Sequence, residues 1–314
     1  MTRKCASATF TLVLCAVLAA CGDSSGNKIY IGVAGPLKVA NGISMKQAAE
    51  MAVAEINRDG GIDGDSIELV FGDDEADQQQ TVTVASTLKG DPRIVAVIGH
   101  INSAMSLRAA TIYNASDSTG EPVLQISPAS SSPALTQAGD WTFRVTPTDL
   151  EFSPALAAYA RRLNLRRAAV LYANDDYGQG VMETFERSFR SGGGAVVAAD
   201  PYLPPVIARG TELDPYLMRA IGRGADALVI GGQAAEGVKI IQAARRLGFT
   251  GPILGSDGLT GAKDAGAVAE GVYVASAFLP DSKDAEAQKF VENYRRLYNT
   301  LPDHRAAMTY DVVY

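Results

Sequence analysis

Ile94-Val95-Ala96-Val97-Ile98-Gly99-His100-Ile101-Asn102-Ser103 is the stretch that decides the fold class. Five consecutive apolar residues, four of them β-branched, predict a strand over 94–98 that is buried on both faces. A glycine ends the run, and small polar residues then open a helix over about 104–115. Strands buried on both faces belong to parallel sheets, where each crossover is usually a helix packed on the sheet.

The same alternation extends outward in both directions. Upstream lie a strand over 28–34 and a helix with Met45, Ala48, Ala49, Ala52 and Ile56 at helical spacing. That helix stops at Arg58-Asp59-Gly60-Gly61, and a strand over 66–71 and a helix near 79–89 follow. Downstream, 122–126 reads as the next strand. The alternation restarts after Thr146-Pro147-Thr148, with strands over 168–172, 195–199, 227–230 and 252–254. Helices over 179–190, 213–222 and 234–247 separate them. Pro201 to Pro205 and Pro215 mark an irregular excursion. An amphipathic helix over 284–298 carries Phe290, Tyr294, Leu297 and Tyr298 on one face, and another helix follows Pro302. The expectation is an α/β protein with two parallel-sheet units.

The N-terminus has a different character. Met1-Thr2-Arg3-Lys4 precedes an apolar run from about Ala8 to Ala20, which describes a secretory signal peptide over 1–20. The run is shorter than the roughly 20 apolar residues of a membrane-spanning helix. Leu18-Ala19-Ala20-Cys21 looks like the lipobox of bacterial lipoproteins, in which cleavage falls before the cysteine and Cys21 receives acyl chains. A polar tether, Gly22 to Asn27, follows. This reading places the mature protein outside the cytoplasm, held to the bacterial membrane by a lipid anchor. Loss of Arg3 and Lys4 takes the formal charge from −7 to −9, and an acidic body without basic clusters argues against nucleic acid. Cys5 and Cys15 would leave with the signal, so the body has no disulfide to form. His100 and His304 show no metal-ligand spacing, and neither GxGxxG nor a Walker pattern occurs; neither metal nor cofactor is expected.

In open α/β sheets ligands bind beyond the carboxyl ends of the strands, so the residues after each predicted strand are the candidate site. Ser103 stands at a helix start, where it either caps that helix or offers a hydroxyl and N–H groups to a carboxylate. Ser127-Pro128-Ala129-Ser130-Ser131-Ser132-Pro133 is either a polar turn or a set of donors and acceptors. Tyr177, in Asn174-Asp175-Asp176-Tyr177-Gly178, is either a turn residue or a cover over a ligand. Gly231-Gly232-Gln233 and Gly255-Ser256-Asp257-Gly258 follow later strands, and Asp257 is either an Asx-turn residue or a ligand carboxylate. Together one unit offers hydroxyls and N–H groups and the other a carboxylate and an aromatic ring, the polarity of a site for a zwitterion.

At these residues the chain resembles the branched-chain amino-acid (Leu/Ile/Val) binding proteins of ABC importers, the type I periplasmic binding proteins. The markers are IGVAGPL at 31–37, AEINRDGGIDG at 54–64, VIGHINS at 97–103, ISPASSSPALTQ at 126–137, NDDYGQG at 174–180 and GSDG at 255–258. The resemblance implies two Rossmann-like lobes joined by a hinge and closing on ligand, with 28–146 and 277–314 as lobe 1 and 147–276 as lobe 2. It implies that Ser103, Ala129 and Ser131 hold the ligand's carboxylate and part of its ammonium. Tyr177 would come from the closing lobe, and Asp257 would pair with the ammonium. Ala40 and Gln233 fall where the family frequently has aromatic residues, which points to an amino acid more polar than an aliphatic one, or to a small amide. The implied partner is an ABC transporter permease, and the chain is expected to act as a monomer. A lipoprotein that senses ligand for a receptor partner is the alternative. An envelope hydrolase is a third reading, resting only on His100 near Ser103, without a GxSxG elbow or a metal cluster; the chain reads as a non-enzyme.

Overall fold

The computed structural model describes residues 27–116, 120–207 and 210–314. The signal peptide, Cys21 and nearly all of the tether lie outside the described residues. The first unit comprises β1 (Lys28–Gly35), α1 (Ala40–Arg58), β2 (Ser66–Asp73), α2 (Gln78–Gly90), β3 (Ile94–Gly99), α3 (Ser103–Tyr113), β4 (Leu124–Ser127) and β5 (Thr142–Arg144). The second comprises α4 (Asp149–Arg162), β6 (Arg167–Ala173), α5 (Asp176–Ser191), β7 (Ala195–Tyr202), α6 (Asp214–Gly222), β8 (Ala227–Gly231), α7 (Ala234–Arg246), β9 (Ile253–Gly255) and β10 (Val272–Val274). Two further helices, α8 (Ala285–Tyr298) and α9 (His304–Val313), follow.

Both sheets are five-stranded and parallel throughout, and both use the same order. The first runs β2-β1-β3-β4-β5, and the second, read from its other edge, runs β7-β6-β8-β9-β10. In each sheet the order reverses between the first and third strands of the unit, which creates a crevice at the carboxyl end. Side-chain alternation explains the layers. In the second sheet Ala168, Val170, Ala227 and Val229 pack against α4 and α5. Ala169, Leu171, Leu228 and Ile230 point the other way, toward α6 and α7. In the first sheet Val33 and Ile98 meet Met45 and Ala49 of α1, while Ala34 and Val97 meet α2 and α3.

Helices α8 and α9 return from the second unit to the first. Phe290 and Tyr294 of α8 and Ala306 and Ala307 of α9 form one cluster with Ala48 and Met51 of α1. The Tyr294 hydroxyl donates to Gln47 Oε1 at 2.7 Å, and the Tyr298 hydroxyl donates to the Gln47 carbonyl at 2.7 Å. Of the predicted apolar stripe on α8, Leu297 is the member left outside, at 50% exposure.

The structure adds three elements to the expected alternation and moves one boundary. Helix α4 begins with a capping box: the Thr148 N–H donates to Glu151 Oε2 at 2.8 Å, and Thr148 Oγ1 accepts from the Leu150 N–H at 3.2 Å. Strands β5 and β10 are three residues each. Pro201, expected in an irregular segment, lies inside β7. That strand is the sheet edge, where a missing N–H costs no ladder bond.

Candidate functional site

The carboxyl ends of the two sheets face each other across a cleft, and five of the six predicted site residues line one cavity there. Ser103 opens α3 after β3 and Ala129 lies in the loop after β4; Tyr177 is in the first turn of α5 after β6, Gln233 caps α7 after β8, and Asp257 follows β9. Ile101, Asn102 and Arg305 complete the wall. The cavity is about 10 Å³, room for about one water. Beyond it lies a groove of about 1100 Å³ lined by residues of both units, Ala40 among them. Asn102, Gln233 and Arg305 line both spaces and form the partition between them.

On the first side, hydrogen bonds sort the serines. Ser127 Oγ donates to the His100 carbonyl at 2.6 Å, and Ser130 Oγ donates to the Ile101 carbonyl at 3.1 Å. Ser106 Oγ also donates to the His100 carbonyl, at 2.9 Å, and lies 2.7 Å from Ser130 Oγ. These three hydroxyls hold the loops in place. Ser131 is the exception: it is fully buried, its carbonyl accepts the Asp149 N–H at 2.9 Å, and its hydroxyl faces the Asp149 carboxyl rather than the loop backbone. It does not line the cavity itself but lies in the same loop as Ala129. Ser103 is not the helix cap. Asn102 occupies that position, and Ser103 Oγ instead accepts the Ser132 N–H at 3.3 Å across the two loops.

His100 is structural. Its Nδ1 lies 2.6 Å from Asp74 Oδ2 with both side chains buried, and its Nε2 has no hydrogen-bond partner. No Ser103–His100 pair forms, which removes the sequence feature behind a hydrolase reading.

On the second side, Tyr177 is not a surface turn residue. Its hydroxyl donates to Asp257 Oδ1 at 3.1 Å and accepts the Gly258 N–H at 2.8 Å, and the residue is 4% exposed. Burial, reinforced by the negative charges of Asp257 and Asp149, raises its hydroxyl pKa well above the ordinary value. Asp257 also accepts from Ser256 Oγ at 3.1 Å, and its Oδ2 lies 3.7 Å from His304 Nε2. Asp149, at the start of α4, is fully buried, and its carboxyl faces the Ser131 hydroxyl. Burial and the charge of Asp257 push its carboxyl up to about 8, so it is mostly protonated at neutral pH.

The sequence reading missed Asp303, His304 and Arg305. The N-terminus of α9 crosses into the cleft and puts the buried His304 and Arg305 and the half-buried Asp303 against the second unit. Thr260 Oγ1 lies 3.2 Å from His304 Nδ1. Burial, and then the Arg305 charge, lower the His304 pKa to about 4, so the ring is neutral at pH 7. Arg305 Nη1 donates to Asp303 Oδ2 at 3.2 Å, and its Nη2 donates to Gln233 Oε1 at 3.4 Å. Burial opposes ionisation of Asp303, yet the Arg305 and His304 charges and the hydrogen bond from Ser44 hold its carboxyl below the usual range. The one local signal was three consecutive polar residues at the head of an otherwise apolar helix. Among the described residues no helix is long and apolar enough to cross a membrane, and no group of His, Cys, Asp and Glu could hold a metal ion.

Two parallel α/β units facing across a cleft that collects hydroxyls on one side and an aromatic–carboxylate pair on the other define a two-lobed solute-binding protein. Residues 29–314 match the family described as periplasmic binding protein, and the chain belongs to that family of extracytoplasmic solute-binding proteins. It is 30% identical to the Leu/Ile/Val-binding protein homolog 2 of Brucella abortus (strain 2308) over 86% of this chain and 72% of that protein. It is 31% identical to the Leu/Ile/Val-binding protein of Escherichia coli (strain K12) over 72% of this chain and 60% of that protein. The structure of an ABC transporter substrate-binding protein from Desulfitobacterium hafniense in complex with Leu is similar at 33% identity and a TM-score of 0.75, covering 91% of this chain and 82% of the other.

Proposed function

We propose that this chain captures an α-amino acid between its lobes and delivers it to the permease of an ABC importer, without catalysing a reaction on it. The observation that carries the reading is the convergence of Ser103, Ala129, Tyr177, Gln233 and Asp257 on one inter-lobe cavity. Ser103, the backbone around Ala129 and the Ser131 hydroxyl receive the ligand's carboxylate and part of its ammonium; Asp257, positioned by Tyr177, pairs with the ammonium. Lobe 1 is 28–146 with 277–314, and lobe 2 is 147–276. Because the cavity holds about one water in this arrangement, a ligand reaches it only when the lobes separate.

Support for transport comes from relatives named for Leu, Ile and Val binding and from the Leu-bound neighbour described as an ABC transporter protein. The lipobox at Cys21 supports a lipid anchor that holds the protein outside the cytoplasm, where it acts as a monomer on this reading. The test is a panel of thermal-melting measurements with the common α-amino acids. At least one at 100 times its dissociation constant should raise stability by about 2.7 kcal/mol, visible as a melting shift of several degrees. A panel with no shift contradicts the reading.

A further inference from the structure

We infer that the site selects an amino acid with a carboxamide side chain, and that Arg305 with Asn102 reads that group. This rests on the amino-acid reading above and narrows it. Arg305 is 4% exposed, and its charge is already met by Asp303, which is tied in turn to Ser44 of α1. What Arg305 lacks is an acceptor: its Nε–H is buried with no hydrogen-bond partner. Asn102 Oδ1, in the wall of the same cavity, is a buried acceptor with no partner. A buried donor and a buried acceptor left unmet on residues that line one cavity each carry a desolvation cost that a complementary ligand removes.

A carboxamide matches both, with a carbonyl oxygen for Nε–H and an NH₂ for Asn102. An aliphatic side chain would leave both groups unmet. A second carboxylate would add negative charge to a cleft that already holds Asp257 and Asp303. Arg305 and Asp303 share α9, which packs on α1, so separation of the lobes breaks the 3.4 Å bond to Gln233 and the His304 contacts with Thr260 and Asp257 but keeps Arg305 and Asp303 on the first lobe.

The experiment is calorimetric titration of the purified protein with L-glutamine, L-asparagine, L-glutamate and L-leucine, repeated with Arg305→Met. The better of the two amides should bind at least about tenfold more tightly than both L-glutamate and L-leucine. Arg305→Met should bring that amide within about twofold of L-leucine. If Arg305→Met fails to fold by circular dichroism, Asn102→Leu removes the acceptor while leaving the Arg305–Asp303 pair intact, and should also lower the amide-to-leucine ratio. L-leucine or L-glutamate binding most tightly, or a ratio unchanged in the folded variant, overturns the inference and leaves the amino-acid reading standing. Binding of none of these or the other common α-amino acids overturns both.

Discussion

Gly258 shows how closely the binding side chains are fitted. A Cβ there would lie 2.4 Å from the Tyr177 hydroxyl oxygen and 2.7 Å from its ring. The ring is buried, so it cannot swing into solvent to make room. Gly258→Ala should therefore push Tyr177 off Asp257 and weaken amino-acid binding about tenfold or more, measured by titration, in a protein that still folds. His304 and Asp149 set opposite pH slopes. The folded-state pKa of His304 is about 4 against an ordinary 6.5. Between these values the unfolded chain binds a proton that the folded chain refuses, so this contribution to stability is lost as pH falls from 6.5 toward 4. His304 faces Asp257, Thr260, Asp303 and Arg305, and His304→Gln should melt with a shallower acid limb than the wild type, by on the order of 5 °C. For Asp149 the folded chain holds a proton up to about pH 8, whereas its ordinary value is 3.8. Stability therefore falls as pH rises from about 4 to about 8, and Asp149→Asn should flatten that decline in the same melting series. At this scale the sequence was partly legible. It placed Ser103, Ala129, Ser131, Tyr177, Gln233 and Asp257 at strand ends, where topology puts a site. It could not separate Ser130, bound to the loop backbone, from Ser131, which is not, because adjacent serines differ only in the tertiary partners that reach them.

Elements were more legible than residues, because periodicity survives local exceptions. The runs that became β1, β3, β6 and β8 are apolar and β-branched, and their helices carry stripes at 3.6-residue spacing. Helix α4 escaped because Pro154 sits within it and masks the pattern, although Thr148 and Glu151 spelled out its capping box. Strands β5 and β10 escaped because three residues give no period to read. Least visible was the path of α9: nothing in Asp303-His304-Arg305 says that this helix start will lie in the cleft, since that follows from α8 and α9 docking on α1. The docking itself is testable. Phe290 is 8% exposed at the centre of that cluster, so Phe290→Ala should cost about 3–5 kcal/mol in urea unfolding. A loss below about 1 kcal/mol would mean that α8 is a loosely held appendage.

At the scale of the molecule, a repeated strand order brings two crevices face to face, so that groups far apart in sequence share one small polar space. On the proposed reading the two lobes separate and close, and the chemistry of capture is divided between them, with Ser103 contributing from the first and Asp257 from the second. Neither sheet alone presents both ends of a zwitterion, which gives the central claim a direct test. Calorimetric titration of the wild type, Ser103→Ala and Asp257→Ala should be run with the amino acid that most raises the wild-type melting temperature. Each substitution, though in a different lobe, should weaken binding of that same ligand at least about tenfold. Full wild-type affinity in either variant would contradict the account, because the ligand would then be held by one lobe alone or somewhere other than the cleft.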